Sequence, residues 1–167
     1  MTGADALSIG GLAVALTILT LTGRSWWRAG KKPMDLVPFT AAASVGALWT
    51  ACVGGLLGAA GGWIAGGVNV AGGEAITRGT GTADGTVATG ALAALTPGGA
   101  VVVLIATAAG AVAIRAAAKT GKRRIAGGLI VGASLALTAG VASLVNRLII
   151  PLANMPGDQI VAWFGAA

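Results

Sequence analysis

Apolar residues along the chain fall into four long runs separated by three more polar stretches. The first run, 7–22 (LSIGGLAVALTILTLT), grows to about 20 residues when taken back to Gly3, enough for a helix to cross about 30 Å of hydrocarbon. The second covers about 37–70. It is too long for an upright span, so it must tilt, break or leave the membrane, and the paired Gly54 and Gly55 mark the place for a bend. The third covers about 98–118 and the fourth about 125–153. Of the stretches between them, 23–36 (GRSWWRAGKKPMDL) is basic and aromatic, 71–97 is rich in Gly and Thr, and 119–124 (KTGKRR) is short and basic. Within the middle stretch, 88–95 reads as a short interfacial helix. Pro97 suits the first position of the helix after it, where a missing N–H costs nothing.

The pattern predicts an all-α integral membrane protein, a single membrane domain over 1–167. Four transmembrane helices are expected at about 4–22, 38–67, 98–118 and 125–150, arranged as two helical hairpins. Basic cytoplasmic loops would lie at 23–37 and 119–124, and an outer loop at 71–97.

Composition supports the bilayer as solvent. The chain is 56% hydrophobic and 10% charged, against about 25% charged in an ordinary soluble domain. It has no His and one Cys, Cys52, which rules out an intrachain disulfide and any zinc or haem spacing. Cys52 sits in an apolar run and reads as an inert thiol. Of the carboxylates, Asp35, Glu74, Asp84 and Asp158 fall outside the predicted spans and Asp5 stands at the very start of the first, ahead of its apolar run; none is paired. General-base chemistry near neutral pH lacks its usual residue, and a proton-driven rotor would need an ionisable group at membrane depth. No catalytic, cofactor-binding or metal-ligating residue is therefore assigned. The chain reads as a non-enzymatic protein without a cofactor.

Charge sets the expected orientation. Arg24, Arg28, Lys31 and Lys32 lie in the first polar stretch; Arg115, Lys119, Lys122, Arg123 and Arg124 cluster at the third. These nine cations fall on one side of a four-span layout. Arg78 and Arg147 fall on the other, with Asp5, Glu74, Asp84 and Asp158. The positive-inside rule puts the basic side in the cytoplasm and both termini outside, in a cytoplasmic (inner) membrane. Trp26 and Trp27 suit the inner interface; Trp63, Trp163 and Phe164 suit the outer one. The first run has Asp5 before it and Arg24 after it, so it reads as an uncleaved anchor rather than a signal peptide. Arg115 and Arg147 read as interfacial anchors that snorkel. The basic residues are candidates for anionic lipid headgroups or nucleic acid.

The stretch 54–67 reads GGLLGAAGGWIAGG, with glycine at every fourth position. Spacing by four puts Gly54, Gly58, Gly62 and Gly66 on one helix face. The fourth run repeats the device with Gly128, Gly132, Ala136 and Gly140. Small residues let helix backbones approach in lipid, so these eight are the candidate helix-packing positions, within one chain or between copies. A further hint of internal repetition is that Gly10, Gly11 and Gly98, Gly99 each open an apolar run that leads to a basic turn.

Over 95–152 the order of Gly/Ala-rich helix, basic loop KTGKRR and second Gly/Ala-rich helix resembles the core hairpin of conjugative pilins of type IV secretion systems. The whole four-span layout resembles small hydrophobic spread proteins encoded with transfer genes on actinomycete plasmids. The resemblance implies an oligomerising membrane subunit of a transfer apparatus. It would be a homo-oligomer forming a pore or an extracellular pilus-like filament, with membrane lipids and DNA in transit as partners. The first half, a further hairpin, departs from the pilin pattern. A phage holin and a monomeric small transporter or accessory protein are the alternatives.

Overall fold

The structure is a computed structural model, described here for residues 7–165, and those residues form an all-helical fold without strands. Helix α1 covers Ile9–Arg28, α2 Val37–Ala51, α3 Gly55–Thr80, α4 Pro97–Ala116, α5 Lys119–Leu135, α6 Ala139–Leu144 and α7 Ile150–Gly165. A 3-10 turn at Pro33–Asp35 leads into α2, and a π-turn at Val145–Ile149 joins α6 to α7. Helices α1 and α4 are each long and apolar enough to cross a membrane; α2 and α3 together would make a third such element, bent by 110°.

Several expected boundaries are corrected. The single span at 38–67 is two helices, broken at 52–54. Gly54 and Gly55 take φ of +94° and +70° there, a conformation that favours glycine. The span at 125–150 is likewise broken, at 136–138. The predicted loop at 119–124 is instead the start of α5, joined to α4 by only Ala117 and Ala118. Lys and Arg are good helix formers, so a basic hexapeptide need not be a loop. In the predicted outer loop, 71–80 belongs to α3, while 88–95 is extended rather than helical. The first span runs on to Arg28, and residues 4–6 of its predicted range lie outside the described residues. The two predicted hairpins do not persist as packing units. Helix α4 packs mainly on α7, α5 on α2, and α1 on α3.

The chain folds as two three-part units in the same order. In each, a 20-residue helix (α1 or α4) is followed by a helix of 15 or 17 residues (α2 or α5). A three-residue corner then leads to a helical arm: α3 in the first unit, α6 through α7 in the second. Helices α2 and α5 meet at the centre. Along their contact Gly128 lies against Phe39 and Gly132 against Ala43, so the contact advances in the same sense on both helices and they run parallel. Buried Ala47, Leu48, Ala51, Val103, Ala136, Val145, Ile150 and Ala153 form the core beside them.

Candidate functional site: paired seams and a basic end

Each unit closes its first helix on its arm through the same set of small and polar residues. In the first, Ser8 caps α1, its Oγ accepting from the Gly11 amide at 2.9 Å, while the Ser8 amide donates to Asn69 Oδ1 at 2.9 Å. In the second, Thr96 caps α4, its Oγ1 accepting from the Gly99 amide at 3.0 Å, and the Thr96 amide donates to Asn154 Oδ1 at 3.1 Å. The backbones touch at these crossings. A Cβ on Gly10 would fall on the Gly72 carbonyl and one on Gly72 on that of Gly10; Gly98 and Gly157 stand in the same reciprocal relation. A Cβ on Gly11 would strike Asn69 Oδ1, and one on Gly99 would strike Asn154 Oδ1. These glycines are needed for approach, and the asparagine oxygens satisfy amides at helix starts that no helical bond reaches.

A carboxylate sits at each seam. Asp84 Oδ1 accepts from the Gly10 amide at 3.0 Å, and Asp158 Oδ1 accepts from Thr96 Oγ1 at 2.7 Å. Both complement the positive end of the helix dipole. The sequence carries the paired signal: Leu-Ser-x-Gly-Gly from Leu7 and Leu-Thr-x-Gly-Gly from Leu95, then Asn-x-x-Gly from Asn69 and from Asn154. Only the doubled glycines were singled out above; the asparagines were missed. Their signal was the recurrence, at offsets of 88 residues (Gly10 to Gly98) and 85 residues (Asn69 to Asn154).

Of the expected packing residues, Gly128, Gly132 and Ala136 lie inside the molecule. The two glycines abut the backbone carbonyls of Phe39 and Ala43, and Ala136 is fully buried. Within the single chain, the expected stripe on the second run is not the face that packs. The buried face of α3 is Gly61, Ala65, Val68 and Gly72. Gly54 is exposed at the corner and has nothing near its Cβ position; Gly66 and Gly140 also face open space. Gly58 abuts the Cys52 carbonyl of its own corner, and Gly62 is half-buried beside Gly61.

The nine cations gather at one end because α2 and α5 run parallel, and α1 and α4 deliver the chain to their starts. Arg24 and Arg28 close α1, and Arg115 closes α4. Lys119, Lys122, Arg123 and Arg124 occupy the first turns of α5, against its dipole. Arg124 is drawn across to unit one, where its Nη1 reaches Asp35 Oδ1 at 3.1 Å and the Asp35 carbonyl at 2.9 Å. Lys31 sits 3.5 Å above the Trp27 ring, and Trp26 Nε1 donates to the Lys32 carbonyl at 2.8 Å. A shallow groove lined by Leu21, Arg24, Ser25, Arg28 and Ala29 runs along the end of α1. Arg78 lies at the other end, paired with Glu74 at 3.3 Å, and Arg147 is exposed on the π-turn. Among the described residues no three His, Cys, Asp or Glu side chains come together as a metal site.

Compared with known proteins, the chain matches no family model, no curated protein and no solved structure.

Proposed function

We propose that the protein is a multi-pass membrane protein of structural or accessory type, its basic end held at anionic headgroups on the cytoplasmic face. The observation that carries this reading is the polarity of the molecule. Nine cations gather at one end, while the flanks of the apolar helices α1 and α4 stay exposed, with Leu16, Leu19, Leu104, Ile105 and Val112 turned outward. Lipid solvates such flanks, and the basic end follows the positive-inside bias. The test is labelling of single cysteines in intact cells with an impermeant thiol reagent, on a Cys52→Ala background. Lys31→Cys should stay unlabelled until the cells are opened, and Gly85→Cys should react from outside. The reverse pattern would overturn the orientation, and equal labelling of both in intact cells would overturn the membrane reading.

A second reading is favoured by the surfaces the fold leaves open. Gly66, Gly67 and Gly110 have nothing within contact of their Cβ positions, and Trp63, Leu56 and Val70 stand exposed on α3. In this reading further copies cover those faces, and the protein is an oligomerising subunit of a transfer conduit, with the basic end turned to headgroups or to DNA in transit. The mass of the particle in native lipid discs decides. A ring or filament supports the conduit; a lone chain of 16.0 kDa removes it and leaves the accessory role.

A further inference from the structure

The extended connector 88–95 covers the corner of unit two, with Thr89 bridged to Thr138, and among the described residues unit one shows no such cover. A second difference lies at the basic end, where the first helices finish. Helices α1 and α4 start alike at their seams, and an offset of 88 residues takes Gly10 to Gly98. The same offset takes Leu21, Arg24, Ser25, Arg28 and Ala29, which line the groove on α1, to Ala109, Val112, Ala113, Ala116 and Ala117. Unit two is wholly apolar at these places, and α4 reaches the same level with the single cation Arg115. Crossing lipid and turning therefore do not require the arginine pair of unit one.

The groove has a volume of about 560 Å³. It lies on an exposed face of α1 whose residues Thr17, Leu21, Arg24 and Arg28 recur at helical spacing. Ahead of the arginines nothing on this face needs water. The hydroxyls of Thr17 and Thr20 donate to the Ala13 and Thr17 carbonyls of their own helix at 2.7 and 2.9 Å, a local bond that satisfies such donors. Ser25 does the same with the Thr22 carbonyl at 2.8 Å. The free donors of the groove are the two guanidiniums. Arg124 is paired with Asp35 and Arg78 with Glu74, but among the described residues Arg24 and Arg28 have no hydrogen-bond or ion-pair partner. The helix end beside them does not repel an anion strongly, because its carbonyls are occupied. Ser25 and Trp26 accept the Ala29 amide at 3.0 and 3.1 Å, and Trp26 also accepts the Lys31 amide at 3.2 Å. The chain reverses there through Gly30 and Lys31, at φ of +89° and +57°. That reversal sets Lys31 over Trp27, a cation and an indole at the level where a headgroup lies.

We propose that this groove is a binding site for one anionic phospholipid, its phosphodiester held between Arg24 and Arg28 and an acyl chain lying along Leu21 and Thr17. The site rests on the membrane reading above and narrows it from headgroups in general to one selected lipid. Side chains four apart on a helix stand about 6 Å apart at Cβ, so both arginines reach a single phosphate. Each presents a planar fork that matches phosphate oxygens. Charge complementarity thus specifies the headgroup, and the exposed apolar face that runs on from it specifies the tail. A nucleic acid would satisfy the charges but has no use for Leu21, exposed one turn from Arg24.

The experiment is lipid retention by the full chain in mild detergent, followed by native mass spectrometry during titration with phosphatidylglycerol. Arg24→Val with Arg28→Ala gives the groove the residues that unit two carries at the corresponding places. Lys122→Ala with Arg123→Ala removes equal charge from the same end, outside the groove. The wild-type chain should retain one phosphatidylglycerol in preference to phosphatidylcholine. The groove variant should bind it about ten- to thirty-fold more weakly, and the α5 variant should match the wild type. Arg24→Lys with Arg28→Lys keeps the charge but loses the forks, and should fall several-fold. Equal weakening in the groove and α5 variants overturns the site, as does no loss in the lysine variant. Displacement of the lipid by glycerol phosphate overturns it in favour of a free phosphate, and displacement by a short DNA duplex in favour of nucleic acid. Thiol labelling separates this claim from the membrane reading: a chain labelled as expected at Lys31→Cys and Gly85→Cys that retains no lipid loses the site and keeps that reading.

Discussion

Unit one and unit two are built on the same seam, yet their arms differ. In unit one the arm is a single 26-residue helix, α3, that starts at Gly54 and Gly55, both at positive φ. In unit two it is interrupted by the π-turn at Val145–Ile149, immediately ahead of Pro151. A proline ring in a regular helix crowds the carbonyl four residues back, here that of Arg147, and the widened turn accommodates it. The same turn presents Asn146 to the connector, where it holds Ala91 and Ala93. The comparison separates what the module needs from what each copy adds. The reciprocal glycines, the capping hydroxyl and the asparagine recur; among the described residues the π-turn, its clamp and the covered corner are seen in unit two and not in unit one.

The sharpest way to break the comparison is to enlarge the recurring glycines. Gly98→Leu should leave no folded monodisperse protein in detergent, because even a Cβ would fall on the Gly157 carbonyl. Overpacking of a tight contact costs about 1–3 kcal/mol and sometimes more, and backbone cannot yield as a side chain can. Gly10→Leu should do the same through Gly72. If one of the pair is tolerated, the seams are not equivalent. Gly66→Leu and Gly110→Leu, on open faces, should leave thermal unfolding of the single chain unchanged. A lower oligomer mass in those variants would favour the conduit reading.

The asparagines come next. Asn154→Ala leaves the Thr96 amide without its acceptor, and Asn69→Ala does so for the Ser8 amide. An amide left unpaired in a part-buried site costs about 1–3 kcal/mol, so both variants should lower the unfolding temperature, and by similar amounts. A loss confined to one unit would show that the other seam is held by its glycines alone.

Much of this was legible in the sequence, though not all of it in the right place. The apolar runs mark the helices, and the paired cations mark one end of the molecule. The glycine periodicity was less decisive. In α3 glycine recurs at almost every turn, so helical spacing by three or four fits both Gly54, Gly58, Gly62, Gly66 and the buried face Gly61, Ala65, Val68, Gly72; only the partner helix chooses between them. The tripeptide Val-Gly-Ala at 45–47 and again at 131–133 is the trace of α2 and α5 meeting as equivalents. A Cβ on Gly46 would strike the Leu129 carbonyl, as one on Gly132 would strike Ala43. The alanine-rich stretch 88–95 has helical propensity but is extended, because its amides and carbonyls bond to the corner of unit two and to Asn146. Long-range bonds of that kind leave no local signal.

Between the units the ion pair of Arg124 and Asp35 is a smaller term. Arg124→Gln keeps length and some hydrogen bonding but loses the charge pair. With both side chains partly exposed, the expected loss is within about 1 kcal/mol, and it should shrink further in high salt. A loss well above that would mean the basic end, rather than the helix α2 contact with α5, joins the two units.

The smallest expected effect has the opposite sign. At an offset of 86 residues, which takes Gly46 to Gly132, Leu48 of unit one corresponds to Ser134 of unit two. Both are buried, and Ser134 Oγ finds no hydrogen-bond partner. A buried hydroxyl without a partner is a net cost, so Ser134→Ala should raise stability by up to about 1 kcal/mol, read as a higher unfolding temperature. Leu48→Ala at the corresponding place removes packed methyl groups and should cost about 2–5 kcal/mol. Opposite signs at corresponding positions would locate the apolar packing of the central pair on the unit-one side. A loss in Ser134→Ala would instead mean that its hydroxyl is bonded in the bilayer, and the asymmetry at this position would disappear.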